Sequence, residues 1–297
     1  MNAAEAVQRY REIAPRLPTA TFPKETRTAR HLLDLVDDID CFVLDGFGVL
    51  NVGVEPVPGA STQLAELQKR GKQLRVLTNG ASFPSSFTTK KYRGWGMHFD
   101  EAHVVSSRDA LAAHLSQRED DLLWGVAAFP DSGIEQFSVR TVLLGDDPQV
   151  YERVDGFILL GAGLWTMQRQ QLLVAALKHH ARPLLVGNPD LVAPHADSFS
   201  DEPGLFAHAI ADLGLAEPEF YGKPFANAFV AVNRTIQGIP PERIAMVGDT
   251  LHTDILGGAA MGWKTVLVIN HGILRDLDPE AEVLAAGIRP DYIVPTT

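Results

Sequence analysis

Phe42-Val43-Leu44-Asp45-Gly46-Phe47-Gly48-Val49-Leu50 is the stretch from which the fold is read. An apolar run that starts at Cys41 ends abruptly in a carboxylate, and the glycines that follow let the chain turn sharply. The rest of the chain repeats this pattern. Short apolar runs rich in β-branched residues predict strands at Cys41–Leu44, Gln73–Leu77, His103–Val105, Gly125–Ala128, Thr141–Leu144, Gly156–Leu160, Pro183–Val186, Ile244–Val247, Thr265–Ile269 and Tyr292–Val294. Longer segments with helical spacing lie between them. The clearest are Phe225, Ala228, Phe229 and Val232, and Leu172, Leu173, Ala176 and Leu177, where apolar residues recur at three and four. Strands alternating with helices predict an α/β fold of parallel strands joined by crossover helices. There are too many strands for one small sheet.

Composition sets the outer limits. The 297 residues are 45% hydrophobic and 21% charged, which excludes disordered, collagen-like and disulfide-scaffold chains. Lys and Arg number 26 against 37 Asp and Glu, a net charge of −11 without a dense basic run. An electrostatic footprint for nucleic acid or an anionic membrane is therefore missing, and an anionic substrate needs a local positive site. The single cysteine, Cys41, sits in an apolar run and suits a reducing compartment. Residues 1–16 contain no apolar leader core, and no stretch approaches the ~20 apolar residues of a bilayer span. The expectation is a soluble, cytoplasmic protein.

Four elements at predicted strand ends carry the chemistry, since open α/β sheets hold their ligands at that edge. Asp45 ends the first strand. Thr78-Asn79-Gly80 ends the second, offering a hydroxyl and backbone N–H groups of the kind that hold a phosphate oxygen. Tyr221-Gly222-Lys223-Pro224 sets a lysine just before a helix, with Pro224 suited to the first turn. Gly248-Asp249, followed by Asp254, supplies two carboxylates five residues apart, hard oxygens that suit Mg²⁺. Each element alone is an ordinary turn, cap or surface group. In combination they form one reaction site: a carboxylate to attack phosphorus, a Thr and a Lys to hold phosphoryl oxygens, and two acids to hold Mg²⁺.

With these residues in this order the chain resembles the haloacid dehalogenase-like hydrolases, from about Phe42 to the C-terminus. Only 33 residues separate Asp45 from Thr78, whereas 145 separate Thr78 from Lys223. That layout is similar to the class IIA members, whose cap is inserted after the second motif. Pro58-Gly59-Ala60, Ile158–Trp165, Gly187-Asn188-Pro189-Asp190 and Gly248–Gly257 look like the same class. The resemblance implies a Rossmann-like core at 1–112 and 191–297, with 1–40 as an N-terminal extension, and an inserted α/β cap at 113–190. It implies a Mg²⁺-dependent phosphatase acting on a small phosphorylated metabolite through an aspartyl phosphate on Asp45. Asp45 and Asp249, the backbone carbonyl of Phe47 and Asp254 would hold the metal. Thr78, Asn79 and Gly80 would contact phosphate, Lys223 would stabilise the nucleophile and the transferring group, and Asn188 and Asp190 would lie near the substrate. Caps of this class often mediate homodimers.

One position departs from the family pattern. Its phosphatases carry Asp two residues after the nucleophile, to protonate the leaving oxygen; here that residue is Phe47. General acid–base help is worth ~10²- to 10⁴-fold, so three readings stand. The first is a phosphatase for leaving groups that need little protonation, such as aryl or acyl phosphates, or one that recruits His252 or His271. The second is a phospho-ligand-binding protein with weak turnover. The third is a hydrolase of another bond, of phosphonate or dehalogenase type, although those relatives carry caps after the first motif. Gly161-Ala162-Gly163 begins like a dinucleotide fingerprint but has Thr166 at the third glycine position. Response-regulator receivers also align Asp, Thr and Lys, but the late Asp249 and Asp254 pair excludes them. Leu32, Leu33, Leu35 and Val36 predict a helix on the core, and Asp37, Asp38 and Asp40 a solvated surface. Of the cap aromatics Trp124, Phe129, Phe137 and Trp165, most are expected in its core and one at the pocket.

Overall fold

A computed structural model describes residues 1–297. Seven parallel strands form the larger sheet, in the order Arg27–Thr28, Tyr292–Val294, Lys264–Val268, Ile244–Gly248, Cys41–Leu44, Gln73–Thr78 and Val104–Ser106. Both faces of the sheet's centre are covered, so the strands Cys41–Leu44 and Ile244–Gly248 are apolar and buried on every residue rather than on alternate ones. Phe42 and Leu44 point into one core with Leu64, Leu67, Val247 and Val266. Cys41 and Val43 point into the opposite core with Phe229, Val232 and Met246.

The smaller sheet has five parallel strands, ordered Glu219–Phe220, Leu184–Val186, Gly156–Leu159, Leu123–Ala127 and Arg140–Leu143. One of its faces, through Trp124, Val126, Ile158 and Leu185, joins the second core of the larger sheet. Its other face packs Phe157, Leu159, Leu184 and Val186 against Leu173, Ala176 and Leu177 of the helix Met167–His179. All ten expected strands are present within a few residues, in an α/β architecture of two parallel sheets. The smaller sheet also takes in Glu219–Phe220, which lies after residue 190.

Several elements differ from the sequence reading. Pro224 does not occupy a helical first turn: Phe225 caps the helix Ala226–Asn233, and Pro224 precedes that cap. A helix at Ala3–Ile13 starts with a reciprocal Asn2 and Glu5 capping box and buries Ala6, Val7, Tyr10 and Ile13. These side chains pack on Leu191, Leu251 and Ile255, so residues ahead of the first strand support loops of the site. The expected helix near Leu32 is one short 3₁₀ segment, Leu32–Leu35. Two small antiparallel hairpins, Asn51–Val52 with Glu55–Pro56 and Val192–Pro194 with Phe199–Asp201, meet where the Gly53 N–H donates to the Pro194 carbonyl at 3.0 Å.

Candidate active site

Loops from both sheets converge at one edge. Asp45 follows Cys41–Leu44, Thr78 closes Gln73–Thr78, and Asp249 follows Ile244–Gly248. From the smaller sheet come Asn188, after Leu184–Val186, and Lys223, after Glu219–Phe220. Asp254 sits on a single wide π-helical turn, Leu251–Ile255, a local irregularity often found at functional sites.

Lys223 is the centre of this arrangement. Only 1% exposed, it forms ion pairs with Asp45 and, at 2.7 Å, with Asp254. Its backbone is fixed as well: the Lys223 N–H donates to Asn79 Oδ1 at 2.7 Å, and Asn79 Nδ2 returns a bond to the Lys223 carbonyl at 3.0 Å. The same Nδ2 donates to Asp190 Oδ1 at 2.8 Å. Gly222 makes this approach feasible, because its φ is +132° and a Cβ there would fall 2.6 Å from Asn79 Oδ1. Asn188 accepts the Asp190 N–H at 3.0 Å and donates to Glu202 Oε2 at 3.0 Å.

The three acids Asp45, Asp249 and Asp254 each place a carboxylate oxygen within 4.8 Å of the others, all buried. Asp249 accepts the Ile273 N–H at 2.9 Å and the Thr250 hydroxyl at 3.1 Å, and Asp254 accepts the Thr250 N–H at 3.1 Å. Gly48, at φ +77°, wraps Asp249: a Cβ there would lie 2.6 Å from its carboxyl carbon. Thr78 Oγ1 accepts the Gly80 N–H at 3.2 Å and faces Gly46, with 3.1 Å between Oγ1 and the place of a Gly46 Cβ.

The charges do not balance. Burial, with Asp254 nearby and Lys223 opposing, pushes Asp45 up to about 7. Burial together with Asp254 and Asp45 pushes Asp249 up to about 8. Asp190 is raised by burial and by Asp45, against the pull of Lys223. Burial opposes the Lys223 ammonium, yet Asp254, Asp45 and Asp190 together hold its proton well above the usual lysine range. Four carboxylates facing one ammonium out of water cannot all ionise at low cost, and a hard cation bound by oxygen ligands would favour their charged forms.

The other candidates are placed elsewhere. His252 stacks on Tyr10, ring centres 5.2 Å apart, and burial with Arg11 nearby drives it down to about 4. His271 bonds Thr296 Oγ1 through Nε2 at 2.8 Å. Neither hydrogen-bonds to the acid cluster. Trp124 and Phe137 are buried, and Trp165 donates to Gln170 at 2.8 Å. Phe129 is the aromatic that meets the larger sheet's loops, stacked on Phe83 with centroids 5.8 Å apart.

Two residues that the sequence did not single out also lie against the Asp45 loop. A Cβ on Gly46 would lie 2.7 Å from the Tyr92 hydroxyl. The Lys91 Nζ stands 5.4 Å from the Phe47 ring centre, and burial lowers its ammonium to about 8.

Fold and site together define the class. A family model described as haloacid dehalogenase-like hydrolase matches residues 42–133, and a second model of that family matches 220–297. The chain is 30% identical to human glycerol-3-phosphate phosphatase over 259 residues, covering 79% of this chain and 80% of that one. The protein belongs to the haloacid dehalogenase-like hydrolases. Among its relatives, dihydroxyacetone phosphatase of Corynebacterium glutamicum is 26% identical, with 85% of this chain and 87% of the relative covered. A crystal structure described as a possible sugar phosphatase from Cytophaga hutchinsonii superimposes with a TM-score of 0.80 at 24% identity, over 92% of this chain and 98% of the other.

Proposed function

We propose that the protein is a Mg²⁺-dependent phosphatase of small phosphorylated metabolites, with Asp45 as nucleophile and the smaller sheet as its cap. The observation that carries this reading is the buried Lys223 ammonium held between Asp45 and Asp254, with Asp249 in reach of the same point. Asp45, Asp249 and Asp254, with the Phe47 carbonyl, would hold Mg²⁺. When bound, the ion would screen the charge of the phosphoryl group as it approaches the carboxylate.

The remaining work falls to this chain's own groups. The Asp45 carboxylate attacks phosphorus, the bond to the leaving oxygen breaks, and water later attacks the aspartyl phosphate to release inorganic phosphate. Lys223 favours the ionised form of Asp45 against its burial and meets the transferring oxygens. The Thr78 hydroxyl and the N–H groups near Asn79 and Gly80 receive phosphate oxygens. Asn79 fixes the lysine backbone and Asp190, and Asn188 orients the loop where the two sheets meet. A phenyl ring at position 47 donates no proton, so the reading extends to leaving groups that depart as stable anions, aryl and acyl phosphates first. The relatives named for glycerol-3-phosphate and dihydroxyacetone substrates support the phosphomonoester class.

The test is phosphate release from aryl, acyl, sugar and three-carbon phosphates, with Mg²⁺ and with chelator. Asp45→Asn serves as the blank. Metal-dependent release that vanishes in Asp45→Asn supports the reading, and equal activity in the variant refutes it. If no phosphate is released while a phosphate ester raises the melting temperature in the presence of Mg²⁺, the protein binds phospho-ligands without turning them over.

A further inference from the structure

Lys91 is a part-buried cation without a carboxylate partner. It lies on the helix Ser85–Gly94, and its ammonium stands 5.0 Å from the ring centre of Tyr92, 5.2 Å from that of Trp95 and 5.4 Å from that of Phe47. Its hydrogen bond is a long one, 3.4 Å to Asn51 Oδ1. Phe47 and Asn51 both belong to the loop by which the chain leaves Asp45, and Tyr92 abuts that loop at Gly46. Its sequence neighbour Lys90 is exposed. Taking an ammonium partly out of water is unfavourable, and facing aromatic rings return only part of that cost. The charge is thus held ready for an anion that the protein does not itself provide.

We propose that Lys91 is a specificity-determining residue that receives a second anionic group, a carboxylate, on the leaving-group side of the substrate. The proposal rests on the phosphatase reading for the position of the phosphate. Phe47 follows Asp45 by two residues, so an ammonium 5.4 Å from the Phe47 ring centre stands beside the loop that carries the nucleophile. Aryl esters with a carboxylate at different ring positions sample the distance between that ammonium and the phosphate. Phe47 then has a use of its own: it removes an acid whose negative charge would compete with the substrate carboxylate for the same ammonium.

The experiment compares 4-nitrophenyl phosphate with 3- and 4-carboxyphenyl phosphate on wild type, Lys91→Gln and Lys91→Arg. A charge-assisted hydrogen bond is worth about 1.5–3 kcal/mol, which corresponds to roughly 10- to 100-fold. The kcat/KM ratio of the better carboxyphenyl ester to the nitrophenyl ester should fall by at least ~10-fold in Lys91→Gln, through KM, and recover in Lys91→Arg. An unchanged ratio overturns the proposal, including the case in which Lys91→Gln slows all three esters equally because Lys91 only braces the loop. Calorimetry of phenyl and carboxyphenyl phosphate binding to Asp45→Asn, with and without Lys91→Gln, reads the same ratio without turnover. Absence of turnover in wild type therefore counts against the phosphatase reading alone, and an unchanged binding ratio counts against Lys91.

Discussion

Two groups of aspartates in this protein meet opposite fates. At the site, Asp45 and Asp249 are pushed up to about 7 and about 8, because burial and mutual repulsion outweigh a single lysine. At the opposite end of the strand that leads to Asp45, Asp40 is paired with Arg243 and, at 2.8 Å, with Lys72, and it is held well below the usual carboxylate range. One residue type thus strains one region and quietly supports the other. What differs is access to water and the count of cations: two flexible bases serve one acid outside, and one rigid ammonium serves four acids inside. The sequence reading of Asp37, Asp38 and Asp40 as a solvated face describes the outer group, with Asp38 also accepting the Tyr292 hydroxyl at 2.8 Å.

The comparison breaks most visibly at Lys223. Lys223→Met leaves buried carboxylates without their cation and should cost about 3–5 kcal/mol in denaturant unfolding, with loss of turnover. A cost below about 1 kcal/mol would mean that the acids are already neutral. Adding an acid sharpens the contrast from the other side. Phe47→Asp should raise hydrolysis of alkyl phosphates by ~10²-fold or more, the value of a general acid, and should lower the melting temperature of the metal-free protein. No gain in rate would show that another group already supplies the proton.

Metal and pH separate the two groups next. For Asp45 and Asp249 the folded protein holds protons more tightly than the unfolded chain. Their stabilising contribution is complete below the ordinary carboxylate range and is lost as pH rises through about 7 to 8. For Asp40 the sign is reversed, and its contribution is lost only in acid. Metal-free protein should therefore lose melting temperature between pH 5 and about 8, and Mg²⁺ at about a hundred times its dissociation constant should restore roughly 2.7 kcal/mol. A flat profile that does not respond to Mg²⁺ would contradict the assignment of the acids to a metal. The smallest effect belongs outside: Asp40→Asn should cost about 1 kcal/mol or less, shrinking in salt, with turnover unchanged.

The candidate site was legible where its residues stand next to recognisable elements. Asp45, Thr78 and Asp249 end apolar runs that mark buried strands, Lys223 lies just before a helix, and Asp254 stood out only by its spacing from Asp249. The interactions that join them were not legible, because Asn79 reaches Asp190 and Lys223 across 111 and 144 residues. No local pattern encodes such a bond. Strands of two or three residues, at Arg27–Thr28, Glu219–Phe220 and both hairpins, are too short for a period to appear. Lys91 escaped for a simpler reason: in sequence it is the twin of the exposed Lys90, and only the fold distinguishes them.

The strand order also has a consequence for synthesis. Cys41–Leu44 lies between Gln73–Thr78, which follows soon in the chain, and Ile244–Gly248, about 200 residues downstream. While a nascent chain leaves the ribosome, the strand bearing Asp45 has one bare edge for most of translation. The smaller sheet, continuous from Leu123 to Phe220, is complete before that partner exists. The strand bearing Asp45 therefore meets the strand bearing Asp249 only after the smaller sheet has been made, and a chain stalled before Asp249 presents Asp45 beside an unpaired apolar strand.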